Sequence, residues 1–236
     1  MSNQQKVAIV TGASQGIGAG AVKGLRERGY RVVATSRSIK PSQDPDILTV
    51  AGDIGSAETA KRVVDEAVKR FGRVDLLLNN AGIFIAKPFT QYTQQDYDAK
   101  IATNVAGFFH ITQATVAQME HQASGHVVTI TTSLVDHPNS NVPSVIASLT
   151  KGGLNAATKS LAIEYAQRGI RFNAISPGII KTPMHPEGTH EWLSKLHPVG
   201  RMGDIQDVVE ALLYLESASF VTGEILHVDG GQSAGH

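Results

Sequence analysis

The 236 residues carry 21 Lys and Arg against 21 Asp and Glu, a formal net charge of zero, and nothing in that balance points to nucleic acid or to an anionic membrane surface. Cysteine is absent, which removes disulfides and thiolate metal sites and fits a cytoplasmic chain. The length suits one sizeable core, so a single domain over 1–236 is expected.

The opening MSNQQKVAIVTGAS has no basic stretch followed by a long apolar run, and no segment reaches the roughly 18 apolar residues that span a bilayer. A soluble, unprocessed protein is expected. KVAIVT begins a series of short apolar runs without polar alternation, as in strands covered on both faces. TGASQGIG then sets Gly12, Gly16 and Gly18 in a G-x3-G-x-G spacing before a helix over Ile17–Arg28. Bare backbone there lets N–H groups and the positive helix end approach a pyrophosphate. RVVATS, DILTVA and VDLLLN follow as strands, with a helix over Ala57–Phe71 between the last two. A helix over Phe108–Met119 leads to HVVTIT, and a long helix over Val142–Gln167 presents Lys151 near its start. IRFNAI precedes the irregular stretch Ser176–Gly203, whose prolines and glycines mark a lid or binding loop, or else a surface excursion. Met184, Trp192, Leu193 and Leu196 make that stretch partly apolar. A helix over Ile205–Leu215 and the strand EILHVD close the series. The repetition is β-α-β, and right-handed crossovers make it an α/β fold: one doubly wound domain with a parallel sheet of about seven strands and helices on both faces.

Thr11–Gly18 (TGASQGIG), Asn79–Gly82 (NNAG), Asn104 in TNVAGFF, Ser133, Lys151, Pro177-Gly178 and the ending FVTGEILHVDGG occur in an order and spacing that strongly resembles the short-chain dehydrogenase/reductase family from about Lys6 to Gly231. The resemblance implies a Rossmann-type fold with strand order 3-2-1-4-5-6-7, a bound nicotinamide dinucleotide and an oligomer, commonly a tetramer, otherwise a dimer. It places Gly12, Ser14, Gln15, Gly16, Ile17 and Gly18 against the cofactor, Asp53 and Ile54 at the adenine, and Asn80, Ala81 and Gly82 under the ribose. Pro177, Gly178, Ile179 and Thr182 then face the nicotinamide. Asp53 also reads as a cap of the next helix. Ser36 stands where NAD-preferring relatives commonly carry an aspartate; with Arg37 beside it, a 2′-phosphate can be received, so NADP(H) is favoured and NAD(H) is the alternative. Arg37 also reads as a solvated side chain stacking on adenine.

In the family a tyrosine four residues before the lysine donates a proton to the substrate oxygen, the lysine lowers its pKa, a serine orients the carbonyl and an asparagine holds a relay water. Asn104, Ser133 and Lys151 match; the tyrosine position is Ala147, and no tyrosine lies between Tyr97 and Tyr165. Thr132 is a second claimant to the serine's role. Ser148 is turned about 100° away around the helix and Ser144 lies roughly 10 Å from Lys151 along it. His137, His185 and His190 are the loop histidines offered as other proton sources, but they lack the spacing of a zinc site, so no metal is expected. The resemblance implies a small carbonyl or alcohol substrate with altered proton transfer; the alternatives are a silent dinucleotide-binding sensor or structural partner, and an active-site variant made to trap a complex. Small residues along the long helix (Ala147, Gly152, Gly153, Ala156, Ala157, Ala162) permit close approach of another helix or close packing within one subunit.

Overall fold

The computed structural model describes residues 5–235; the expectation of an unprocessed N-terminus falls partly on residues 1–4, outside them. Seven parallel strands form one sheet in the order β3-β2-β1-β4-β5-β6-β7. They are β1 (Val7–Thr11), β2 (Arg31–Ser36), β3 (Ile47–Ala51), β4 (Leu76–Asn79), β5 (Gly125–Ile130), β6 (Ile170–Pro177) and β7 (Ile225–Val228). Strands β1 and β4 are buried along their whole length, which explains their lack of alternation.

The strand period of two divides the core. Val7, Ile9 and Leu77 point to one face, where they pack with Val63, Phe71, Ile111 and Phe172, while Ala8, Val10, Leu76 and Leu78 point to the other, with Leu25, Val208 and Leu212. The first face is covered by α2 (Ala57–Phe71), α4 (Gly107–Gln122) and α5 (Val145–Tyr165), the second by α1 (Gly16–Glu27) and α7 (Ile205–Ser217). Helix α2 starts where Ser56 Oγ accepts from Thr59 N and ends at Gly72 with φ 82°.

Three stretches differ from the sequence expectation. Residues 94–106, to which the sequence pattern assigns no element, form α3 (Gln94–Lys100), opened by a Thr93–Asp96 capping box, and a π-helical turn over Ile101–Ala106 that runs into α4. Their composition, QQDYDAK, carries almost no apolar stripe to betray a helix. The long helix begins at Val145 instead of Val142, because the residue before Pro143 is disfavoured in helical geometry. The stretch Ser176–Gly203 is partly ordered: β6 continues to Pro177, a short helix α6 (His190–Ser194) forms, and Ile180 pairs with Gly203.

At the amino edge of the sheet a polar cluster runs from the exposed Lys6 into the core. Glu216, near the end of α7, accepts from Lys6 Nζ (2.9 Å) and from the Tyr30 hydroxyl, and His126 Nδ1 lies 2.8 Å from its other oxygen. Asn173 Oδ1 accepts from Glu224 N and Nδ2 donates to Val221 O, both at 3.0 Å, so Nδ2 is also the donor facing His126 Nε2. His126 is thereby the neutral tautomer that donates from Nδ1 to Glu216. The Arg171 guanidinium donates to Leu215 O, Ala218 O, Val221 O and Glu216 O.

Candidate active site

A cleft of about 580 Å³ opens at the carboxyl edge of the sheet, beyond the paired strands β1 and β4, whose connections turn to opposite faces. Its floor begins with the glycine turn. Gly12 has φ 66°, and a Cβ there would stand 2.8 Å from Asn80 Nδ2 and 2.9 Å from Ala81 Cα; one at Gly18 would stand 2.3 Å from the Gly12 carbonyl oxygen. The turn is pinned to the Asn80–Ala81 strip by Thr11 Oγ1, which accepts from both backbone N–H groups at 3.0 Å, and by Asn80 Nδ2, which donates to Thr11 O and Gly12 O. Helix α1 starts behind it with no side-chain cap and no acidic residue in its first turn, so its positive end faces the cleft uncompensated.

Ser14, Gln15, Gly16, Ile17, Ser36, Arg37, Asp53, Ile54, Asn80, Ala81 and Gly82 all line the cleft. Ser36 Oγ is buried without a hydrogen-bond partner, and Arg37 is exposed, with no carboxylate partner among the described residues. Asp53 Oδ1 accepts from Gly55 N at 3.0 Å, and Ser56, not Asp53, caps α2. Across the cleft, Pro177, Gly178, Ile179 and Thr182 come down from β6; the Thr182 methyl stands 3.4 Å from where a Gly16 Cβ would be. Gly18 is not at the cleft surface; it is packed behind the turn.

At the other end Ser133, Ala147 and Lys151 meet. Ser133 Oγ donates to Gln232 Oε1 at 2.9 Å, and Lys151 Nζ donates to Ile130 O at 2.6 Å. Ala147 is 2 % exposed, and no tyrosine lines the cleft. Thr132 Oγ1 accepts from Leu134 N, and Ser148 Oγ donates to Leu134 O, so both hydroxyls serve the turn after β5. Ser144 opens α5 without reaching the cleft, and of the three loop histidines only His185 lines it. Burial, with His190 nearby, pushes the His185 imidazole below its ordinary pKa. No cluster of three potential metal ligands exists among the described residues.

Asn104 sits behind the wall. Its Oδ1 accepts from Ile83 N (3.0 Å), and its Nδ2 donates to Ile83 O and Thr150 Oγ1, both at 3.3 Å. The π-helical turn aims it there, bolting the Gly82–Ala86 strip to α5. Lys100, which the sequence reading overlooked, lies beneath the same strip. It is fully buried, donates to Ile85 O at 3.2 Å alongside the Tyr92 hydroxyl (2.8 Å), and stands 5.3 Å from the centre of the cleft-lining Phe84 ring. Burial holds its ammonium down to about 8 against the attraction of Asp96. Lys151 is likewise held down to about 8, first by burial and then by the Lys100 charge. Lys100→Met removes that repulsion, so Lys151 titrates higher. The alkaline limb of nucleotide binding, followed through the single tryptophan Trp192 in the cleft wall, moves up accordingly.

His197 and Gln232 are further residues that sequence reasoning passed over. Ile179 N donates to His197 Nε2 at 2.9 Å and His197 Nδ1 faces Leu193 O at 3.1 Å, joining β6 to the lid. A polar side chain directly after the paired glycines of HVDGGQ was the one available signal for Gln232.

The family model described as enoyl-(acyl carrier protein) reductase matches residues 12–233. The 3-oxoacyl-[acyl-carrier-protein] reductase of Thermotoga maritima is 34 % identical over 249 residues, covering 98 % of this chain and 99 % of that protein. A (2S)-[(R)-hydroxy(phenyl)methyl]succinyl-CoA dehydrogenase subunit of Thauera aromatica is 32 % identical, with coverage of 99 % and 98 %. Among solved structures, ElxO with NADP bound aligns with a TM-score of 0.91 at 28 % identity, covering 98 % of this chain and all of that one. The 3-ketoacyl-(acyl-carrier-protein) reductase from Brucella melitensis complexed with NADH aligns at 0.88 and 30 % identity, with coverage of 97 % and 98 %.

Proposed function

The chain belongs to the short-chain dehydrogenase/reductase family, and on that footing we propose that it is an NADP(H)-dependent oxidoreductase interconverting a small-molecule carbonyl and a secondary alcohol, with NAD(H) as the weaker cofactor. The observation that carries this reading is the glycine turn with its uncapped helix end, packed on the Asn80–Ala81 strip and opening onto a cleft that holds Ser133 and Lys151. The residues present fit the nucleotide. Gly12 and Gly16 leave a cradle that side chains would fill, and Ser36 Oγ is a buried hydroxyl in want of a partner.

When bound, the nicotinamide supplies or accepts hydride. The chain's own part is orientation and the proton. Ser14, Gln15, Gly16 and Ile17 hold the phosphates, Ser36 and Arg37 the 2′-phosphate, Asp53 and Ile54 the adenine, and Thr182 the carboxamide. Lys151, with three N–H donors and one carbonyl partner, has donors left for the ribose hydroxyls and for a water. With a methyl at 147, a water seated between Lys151 and Ser133 passes the proton to or from the substrate oxygen. Binding titrations with NADPH and NADH, followed by absorbance assays over ketones, aldehydes and secondary alcohols, test the reading. Failure to bind either nucleotide removes it.

Ala147 itself favours a second reading, a dinucleotide-holding protein without turnover; binding with no turnover across the whole panel selects it. The cofactor preference has its own test. Arg37→Ala weakens NADPH about tenfold through loss of a charge-assisted hydrogen bond and leaves NADH within about twofold, measured by titration.

Assembly into a dimer or tetramer is the reading of the outer face of α5, where Gly153 and Ala156 are exposed beside Leu149 and Ile163. Ala147 and Ala162, by contrast, face inward. No helix among the described residues is long and apolar enough to cross a membrane; cytoplasmic residence remains a proposal.

A further inference from the structure

The turn after β7 reaches back into the cleft, and its shape is set by three consecutive residues. The Asp229 carboxylate accepts from Gly231 N (2.9 Å) and Ser233 N (2.8 Å), while Gly230 and Gly231 take φ of 61° and 92°, in the region that favours glycine. Gln232 is thereby turned inward, 6 % exposed, onto the lining of the cleft.

Its amide can point only one way. Nε2 donates to Leu196 O at 3.0 Å, and a carbonyl accepts only, so Oε1 is the atom facing Ser133. An amide oxygen cannot donate. The Ser133 hydroxyl therefore spends its one hydrogen on Gln232, at 2.9 Å, and turns lone pairs alone toward the cleft. His197 cannot take over the donor's part: its Nε2 accepts from Ile179 N and so carries no proton. The surroundings are cut to this arrangement. A Cβ at Gly178 would stand 2.8 Å from both Gln232 Oε1 and His197 Nε2.

We propose that Gln232 is a positioning residue that makes Ser133 a hydrogen-bond acceptor toward the cleft, so that the site selects a molecule offering a hydroxyl hydrogen, an alcohol or a water, over one offering only an oxygen lone pair. The inference deepens the oxidoreductase reading and rests on it for the identity of the cleft. It places the alcohol, not the ketone, as the better-held member of the substrate pair. The Gln232–Leu196 bond also couples the direction of that hydroxyl to the lid.

Two unreactive probes of similar size separate the cases: 2-phenyl-2-propanol, which donates and cannot be oxidised to a ketone, and methyl phenyl sulfoxide, which only accepts. Their dissociation constants are measured through Trp192 fluorescence with the protein saturated in NADPH and again without nucleotide. The wild type is expected to hold the alcohol about fivefold tighter than the sulfoxide. Gln232→Met, which frees the serine hydrogen, brings the ratio to within about twofold, and Ser133→Ala does the same with Gln232 in place. A merely structural role for Gln232 would weaken both probes by one factor and leave the ratio unmoved; that result overturns the proposal, as does a wild-type preference for the sulfoxide or binding of neither probe. An alcohol preference that persists in protein taking up no nucleotide upholds the role of Gln232 and removes the dinucleotide reading alone.

Discussion

Ala147→Tyr raises turnover of simple ketones at least about tenfold while NADPH affinity stays within about twofold. A positioned general acid is worth roughly 10²- to 10⁴-fold in rate, and Ser133 and Lys151 line the same cleft as position 147. Position 147 lines the cleft with Ser133 and Lys151, one helical turn before the lysine, so a phenol there is one turn from an ammonium already held down to about 8. The nucleotide contacts assigned to the glycine turn and to Arg37 lie at the opposite end and are untouched. Nucleotide oxidation followed by absorbance, with titrations run in parallel, checks both halves. An unchanged rate at unchanged affinity would mean that Ala147 does not occupy the proton donor's place. A gain in rate with tighter probe binding would instead point to packing, since a phenol also adds apolar surface.

The second large effect is on stability and lies at the far edge of the sheet. Glu216→Ala costs about 3–5 kcal/mol, because it leaves Lys6 and Arg171 without their common counter-charge and the buried His126 Nδ1–H without its acceptor. For a chain of this size that lowers the melting temperature by roughly 10 °C. The same cluster sets the acid limit. Burial by itself would raise the Glu216 carboxyl, yet hydrogen bonds from His126, Tyr30 and Lys6 hold it down to about 2 from an ordinary 4.5. Its contribution, on the order of 3 kcal/mol, is therefore complete above pH 4.5 and is lost as the pH falls toward 2. Burial also holds the His126 imidazole below its ordinary value, outweighing the pull of Glu216, so the unfolded chain binds that proton first and stability begins to decline below about 6.5. Tyr30, pushed up by burial, and Arg171 stay protonated throughout. Glu216→Gln should flatten the decline between pH 4.5 and 2 while lowering stability at neutrality, measured by denaturant unfolding across that range.

The β-α-β order was legible because parallel strands buried on both faces write continuous apolar runs, and all seven runs became strands. The phosphate turn was legible for a related reason: glycine is the only residue that fits where a Cβ at position 12 or 18 would strike backbone. The acid–base end was read only as far as the matched positions go. Asn104 was singled out by sequence, yet its burial behind the Gly82–Ala86 strip depends on a π-helical turn that leaves no mark on local composition. Lys100 and Gln232 were invisible as site residues because partners 15 and 99 residues away in sequence define them. In a polar helix a lysine reads as solvated, and only the packed fold shows it buried.

The pairing of β1 with β4, and of Ser133 with Gln232, also orders events on the ribosome. Ala8 stands opposite Leu76, so the first strand synthesised cannot be flanked on both sides until the fourth has left the exit tunnel. The serine waits longer still, since its acceptor lies beyond the last strand. A nascent chain that has emerged only through β6 lacks both α7, which covers the same face of the sheet as α1, and the Gln232 that receives the Ser133 hydrogen.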